Sequence, residues 1–336
     1  MYKTIDIALQ GGGSHGAFTW GVLERLLEVP NLIIEGVCGT SAGAMNATML
    51  AYGMHKGGKK GAIEMLETFW RKASEAQSQT MFKPSWLDRF FGGGRLDYSP
   101  AFAWLDYYAM AFSPYQFNPM DINPLRDLLE ELVNFEELRH SQVIKLFVCA
   151  TNVRTGRAKV FPIHKISADA VMASACLPHL FKAVEIDGEA YWDGGFMGNP
   201  PIFPLIDDTE TEDILLIQIN PIKIPDIPKT ATEIRDRLNA ISFNSSLMHE
   251  MRRIRFVQRI LELGLNNQTK LRDLYIHCIY PENEMNDLGV ATKLNTDWDF
   301  LLRLRRLGRR KAEEWLAKNY EKLGHENTCD IEGLFL

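Results

Sequence analysis

The chain lacks the features that mark a disulfide scaffold, a membrane-spanning protein or a general nucleic-acid binder. Its five cysteines, Cys38, Cys149, Cys176, Cys278 and Cys329, are odd in number, widely spaced and without a Cys-x-x-Cys pair. Neither a disulfide framework nor a zinc site is expected, and a reducing compartment is the natural reading. No uninterrupted apolar run reaches the about 18 residues of a spanning helix, and residues 1–11 hold no apolar segment of signal-peptide length. Positive charge is not in excess either. The formal net charge is −6 over 336 residues, which argues against affinity built on neutralising phosphates. No internal repeat or low-complexity linker interrupts the chain. What is present, 46% apolar and 24% charged residues, suits a globular protein with a sizeable core. These properties predict a cytoplasmic protein, peripheral on a membrane at most, with no nucleic-acid partner.

Strand and helix patterns alternate along the chain. Ile5–Leu9 reads as a short apolar strand that breaks into Gly11-Gly12-Gly13, after which Phe18, Val22, Leu26 and Val29 recur at helical spacing. A second strand, Ile33–Cys38, hands over at Gly39 to a helical Ala44–Tyr52. Two such units predict a parallel sheet with crossover helices. Val143–Ala150 has the continuous apolar character of a buried strand, with Ala158–Phe161 pairing nearby. Ile214–Ile219 and Leu274–Ile279 predict two more strands; Glu233–Leu263 and Trp298–Leu323 predict long helices. Between the first strands and Val143, a helix over Ala62–Ser74 leads into a stretch crowded with aromatics from Phe82 to Phe117. Glycines 92–94 and Pro84, Pro100, Pro114 and Pro119 punctuate it. It reads as an insertion: a lid, a patch that dips into a bilayer interface, or a packed subdomain core.

Three short motifs could carry chemistry. Gly39-Thr40-Ser41-Ala42-Gly43 lies between a predicted strand and a predicted helix, where Gly-x-Ser-x-Gly forms a nucleophile elbow and the helix amides face the serine. It can equally be a glycine-rich turn with an incidental serine. Gly11-Gly12-Gly13-Ser14-His15-Gly16 fits the dinucleotide fingerprint, with Glu35 about twenty residues on as the ribose-binding acid. It also fits an oxyanion loop beside Ser41, or a plain turn. Trp192-Asp193-Gly194-Gly195, followed by Asn199-Pro200-Pro201, is by itself an ordinary aspartate–glycine turn.

Taken in order over about residues 5–205, the three motifs resemble the patatin-like phospholipase family. Ala173-Ser174-Ala175-Cys176-Leu177-Pro178 with Phe181 resembles the segment leading to that family's aspartate. The resemblance implies an α/β protein with a three-layer α/β/α fold and a central, largely parallel sheet. It implies a catalytic core over 1–210, with the aromatic-rich insertion at about 60–142, and a helical α/β extension over 211–336 packed on that core. It also implies a serine lipid acyl hydrolase. Ser41 would attack the carboxylic ester, and Asp193 would serve as base and then acid without a histidine. The N–H groups of Gly12, Gly13 and Ala42 would hold the oxyanion, each worth about 3 kcal/mol. Gly11, Gly16, Gly39, Gly43, Gly194 and Gly195 would shape the surrounding turns. The substrate is a phospholipid, lysophospholipid or related acyl lipid, and no metal or organic cofactor is called for. A carboxylate with a pKa of about 3.9 is a weak base for a hydroxyl, so desolvation of Asp193 is expected to raise it.

One position departs from the pattern. The family usually carries arginine or lysine in the glycine loop where this chain has His15. With a pKa of about 6.5, His15 would be partly cationic near neutrality, and activity would fall as it deprotonates; a loop histidine packed on the next helix is the other reading. A Ser–His–Asp triad would require His249 or His277, and both sit in patterns that read as structural. Two basic clusters, one with Arg252, Arg253, Arg255 and Arg259, the other with Arg303, Arg305, Arg306, Arg309, Arg310 and Lys311, are solvated helix faces or headgroup-docking sites. Membrane contact is assigned to Arg252, Arg253, Arg303, Arg306 and Arg310. A nucleotide-dependent oxidoreductase and a non-catalytic lipid-binding module are the alternatives from other classes.

Overall fold

A computed structural model of the chain describes residues 2–78, 112–118, 121, 123–264, 271–286 and 288–336. In chain order its main elements are β1 (Lys3–Leu9), α1 (Gly16–Leu27), β2 (Leu32–Thr40), α2 (Ala42–Ser78), α3 (Pro124–Leu132), α4 (Phe135–Arg139), β3 (Lys145–Asn152), β4 (Ala158–Pro162), α5 (Ala168–Ser174), β5 (Val184–Ile186), β6 (Glu189–Asp193), α6 (Phe203–Asp208), β7 (Asp213–Ile217), α7 (Ala231–Glu262), β8 (Tyr275–Ile279), α8 (Trp298–Asn319) and α9 (Ile331–Phe335). The strands form one sheet in the order β5-β6-β3-β2-β1-β7-β8, with β4 pairing β3. Its centre is parallel: β1 pairs with β2 and β7, β2 with β3, and β7 with β8. Antiparallel pairs, β3 with β4 and β6, and β5 with β6, finish one side. The α/β class and the largely parallel sheet expected from the sequence are both present.

Residue alternation along the central strands explains the three layers. Ile5, Ile7 and Leu9 face Phe18 and Trp20 of α1, Met45 and Met49 of α2, and Leu301 and Leu304 of α8. Ala8, Ile214, Leu216 and Ile276 face the other way, against Leu205 of α6, Leu247, Met251 and Ile254 of α7, and Phe335 of α9. The chain runs from β1 outward through β2 to β3, then returns to the far side of β1 as β7. That reversal makes a crevice beyond the carboxyl ends of β1 and β7, the usual place for a ligand in an open α/β sheet.

Several predicted elements change length or gain company. The helices expected at Ala44–Tyr52 and Ala62–Ser74 are two arms of α2, broken at Gly57 and at Gly58 (φ 61°). The expected Trp298–Leu323 helix ends at Asn319 and tightens into a 3₁₀ turn, Tyr320–Lys322. β5 and β6 were not expected from hydropathy, because they are short and half-buried. They meet at Asp187-Gly188, where both residues have positive φ (53° and 78°), the backbone that an Asp-Gly hairpin turn favours. The aromatic insertion lies largely at 79–111, outside the described residues. Cys278 and Cys329 are disulfide-bonded, with Cα atoms 5.2 Å apart across 51 residues of sequence. This corrects the expectation that no cysteines pair, since a wide sequence interval carries no information about proximity. Among the described residues, no helix is long and apolar enough to cross a membrane.

The late helix α8 is tied to α1 by a close crossing. A Cβ on Gly308 would lie 2.0 Å from the Phe18 carbonyl oxygen, and one on Gly21 would lie 2.0 Å from that of Arg305. Only glycine at both positions lets the backbones approach so far. Arg305 then makes two 2.6 Å bonds to Glu24 while its guanidinium covers the Trp20 ring at 4.5 Å. Gly308→Ala is expected to force the helices apart and destabilise the protein by about 1–3 kcal/mol, as overpacking does. Urea unfolding checks this; an unchanged midpoint would contradict the close crossing.

Candidate active site

The elbow at the end of β2 results from glycines that bring backbones together. A Cβ on Gly39 would sit 2.4 Å from the Gly43 carbonyl oxygen, and one on Gly43 would sit 2.3 Å from that of Leu9. The strand can therefore turn into α2 directly over β1. Ser41 occupies the turn in the left-handed region (φ 55°), a conformation that costs a non-glycine residue about 1–3 kcal/mol and persists only where neighbours enforce it. One such neighbour is Ser174, fully buried at the end of α5, whose Oγ accepts the Ser41 N–H at 2.9 Å.

Asp193 arrives at the same place from β6. Its backbone pairs with Ala150 of β3, its N–H donates to the Cys176 carbonyl at 2.8 Å, and its own carbonyl accepts from Thr151 Oγ1 at 2.8 Å. The segment 174–176 thus anchors both residues, Ser41 through a side chain and Asp193 through a carbonyl. Gly194 packs on the Cys149 carbonyl and the Thr40 methyl, which sets the turn against the end of β2. Asp193 is 0% exposed. Its Oδ1 accepts the Gly195 N–H at 2.7 Å, whereas Oδ2 has no hydrogen-bond partner among the described residues. Burial raises its pKa to about 7, although the Gly195 amide, the nearby Ser41 hydroxyl and the Lys293 ammonium each pull it down. The Ser41 hydroxyl is thus close enough to stabilise the carboxylate, while Oδ2 stays open.

The glycine loop joins them from β1. Gly11 lies against Ser41, so that a Cβ there would come within 2.8 Å of the serine Cβ, and Gly16 lies equally close to Ala42. Buried amides hold the loop: Asn199 Oδ1 accepts the Gly11 N–H at 2.6 Å, and Asn220 Nδ2 donates to the Gly11 carbonyl at 2.8 Å. Gln10 Oε1 accepts the N–H groups of Ile219 and Asn220, each at 2.8 Å, and its Nε2 donates to Asn244 Oδ1. Gly13 adopts φ 57° with the Lys293 carbonyl pressed against its Cα. The structure therefore brings Ser41, Ala42, Asp193, Gly194, Gly195 and the Gly11–Gly16 loop to one edge of the sheet. It gives roles to Ser174 and Asn199, which lie inside segments quoted from the sequence without a role of their own, and it adds Asn220 and Lys293. Asn220 and Lys293 are isolated in the sequence and gave no signal.

His15 does not supply a charge here. Its Nε2 meets Thr292 Oγ1 at 2.7 Å in a buried pocket, and burial together with the Lys293 charge lowers its pKa to about 3. The expectation of a partly cationic His15 is thereby corrected: the ring is neutral. His277 spends its ring nitrogens on Thr328 and Asp213, and His249 is exposed on α7. Glu35 binds Lys145 and the N–H groups of Glu210 and Thr211 near the opposite ends of the strands, so the ribose-binding acid of the dinucleotide reading is not at the glycine loop. Of the basic residues assigned to membrane contact, Arg252 and Arg253 lie on α7, while Arg303, Arg306 and Arg310 lie on α8, across the sheet; Arg310 is paired with Glu284.

A family model described as patatin-like phospholipase matches residues 7–206. An uncharacterized protein of Acanthamoeba polyphaga mimivirus is 24% identical over 215 residues, covering 61% of this chain and 62% of its own. VipD from Legionella pneumophila has a TM-score of 0.40 at 18% identity, over 90% of this chain and 66% of VipD. The heterodimeric ExoU–SpcU complex from the type III secretion system of Pseudomonas aeruginosa has a TM-score of 0.38 at 15% identity, over 95% and 52% respectively. The chain thus spans between about half and two thirds of the length of each of these relatives.

Because His15 is buried and neutral, its imidazole signals are expected to stay unchanged in NMR spectra between pH 5 and pH 8. A titration midpoint inside that interval would restore the cationic His15.

Proposed function

The chain belongs to the patatin-like phospholipase family, and we propose that it is a serine hydrolase of acyl lipids that cleaves carboxylic esters through Ser41 and Asp193. One observation carries this reading. A serine held on a left-handed elbow adjoins a fully buried aspartate whose Oδ2 lacks a hydrogen-bond partner among the described residues. Buried acceptors are nearly always satisfied, so one left open beside a hydroxyl suits a group that must take up a proton.

Ser41 Oγ adds to the ester carbonyl carbon as Asp193 Oδ2 takes its proton, and the carbonyl π pair moves onto oxygen. The N–H groups of Gly12, Gly13 and Ala42 are the donors for that oxyanion. No acceptor among the described residues takes the N–H of Gly12 or Gly13, so both are available without first breaking a bond. Collapse expels the alcohol, which receives the proton from Asp193, and leaves the acyl group on Ser41. Water deprotonated by Asp193 then releases the fatty acid and returns the proton to Ser41. A base whose pKa is raised to about 7 is stronger than an ordinary carboxylate and still substantially ionised at neutral pH.

A fluorophosphonate probe is expected to label the protein, with labelling abolished in Ser41→Ala and slowed about 10²–10⁴-fold in Asp193→Asn. The labelling rate should climb as pH rises through about 7, where Asp193 ionises. Product analysis on mixed phospholipids and lysophospholipids gives the ester class. Lipid binding without labelling would make this a non-catalytic lipid-binding module.

Peripheral contact with lipid would use the α7 side, where Arg252 and Arg253 lie exposed near exposed Phe256 and Leu263. Flotation with anionic vesicles should show binding that weakens with salt and with Arg252→Glu/Arg253→Glu. Salt-independent binding would rule out the arginines.

A further inference from the structure

The glycine loop carries no cation of its own, because His15 is neutral, yet one buried ammonium lies against it. Lys293 stands on a 3₁₀ turn, Val290–Leu294, well beyond the segment matched by the family. The turn is fastened to the loop at two points. Its Thr292 hydroxyl binds the His15 ring at 2.7 Å, and the Lys293 carbonyl sits where a Gly13 side chain would begin, 2.3 Å from an ideal Cβ. The side chain then reaches inward. Its Nζ donates to Asn220 Oδ1 at 2.8 Å and to Asn239 Oδ1 at 3.3 Å, and it lies 5.7 Å from the centre of the Phe243 ring. That ring closes on Gly195, where an added Cβ would meet it at 2.3 Å, and Asn220 at the same time holds the Gly11 carbonyl. The ammonium thus connects the glycine loop on one side with the Asp193 turn on the other.

We propose that Lys293 is the positioning residue that supplies this site's positive charge, keeping Asp193 in its carboxylate form and holding the glycine loop where the oxyanion develops. The inference rests on the Ser41–Asp193 reading above. The charged and titratable groups facing Lys293 are Asp193 from β6, Asp236 from α7 and His15 from the loop. Both aspartates favour the ammonium, but burial outweighs them and lowers its pKa to about 8. Lys293 is only half-buried as a residue, so it is the ammonium end that is desolvated. The same charge lowers the Asp193 pKa, adding to the Gly195 amide and the Ser41 hydroxyl. Between about pH 7 and pH 8 Asp193 and Lys293 are both charged, which is the state the chemistry needs.

The test follows fluorophosphonate labelling of the full chain against pH in the wild type, Lys293→Met and Lys293→Arg, with far-ultraviolet circular dichroism to confirm folding. The wild type should show a rise through about pH 7 and a fall above about pH 8. In Lys293→Met the rise should move to higher pH, because Asp193 loses the charge that lowers its pKa. The rate at pH 7.5 should drop by about tenfold or more, less than the about 10²–10³ seen for a direct oxyanion donor. Lys293→Arg keeps the charge beyond pH 10, so its labelling should persist where the wild type declines; this arm holds even if the methionine variant does not fold. A rising limb unmoved in folded Lys293→Met, or an alkaline decline retained in Lys293→Arg, would overturn the proposal. Absence of any Ser41 labelling in the wild type would instead overturn the hydrolase reading itself.

Discussion

Desolvating the Asp193 carboxylate costs more than its one backbone hydrogen bond returns, and the carboxyl edge of the sheet is organised around that imbalance. A buried carboxylate with an open oxygen is tolerable only where the surrounding backbone cannot relax onto it. Here it cannot. Pairing with β3, the Cys176 carbonyl and the Thr151 hydroxyl fix the aspartate from three sides. The raised pKa is the chemical consequence: the group is a better base than a surface carboxylate and remains ionisable near neutrality.

The other half of the site depends on close backbone approaches. Ser41 holds an unfavourable φ because Ser174 binds its N–H and because Gly39 and Gly43 leave no room for any other path. The glycine loop keeps its place through a buried network of Gln10, Asn199, Asn220 and Asn244, each satisfied by a partner contributed from elsewhere in the chain. Two of these four residues lie beyond position 206. So do Phe243 and Lys293, which press on Gly195 and Gly13. β7 and β8 belong to the same sheet as β1, and the Gly21–Gly308 crossing secures α8, next in the chain after the Lys293 turn, on α1. The later part of the chain is therefore built into the site and not merely attached to it.

Much of the fold was legible because its elements are strongly periodic. The strands at Ile5–Leu9, Ile33–Cys38 and Val143–Ala150 are buried on both faces beyond the exposed Ile33 and Val143 that lead two of them, and they read as apolar runs; the long helices keep their 3.6-residue repeat. β6 escaped notice although it carries Asp193, because a half-buried strand of five residues has no hydropathic signature. Its Asp187-Gly188 turn was the available signal. The charge assigned to His15 was misplaced for a different reason: a histidine's ordinary pKa says nothing about the desolvation it meets once Thr292 and Lys293 close over it.

By itself the sequence determined the order of the strand–turn–helix units, the elbow that turns on Gly39 and Gly43, and the family to which those motifs belong. These are local properties, set by side-chain periodicity and by which residues can enter a tight turn. Tertiary structure alone decided which oxygen of Asp193 stays open, that Ser174 holds the elbow, that Cys278 meets Cys329, and that the buried cation beside the glycine loop is Lys293. Each of these depends on which groups lose water together, and residues separated by tens or hundreds of positions meet only when the sheet and its helices close.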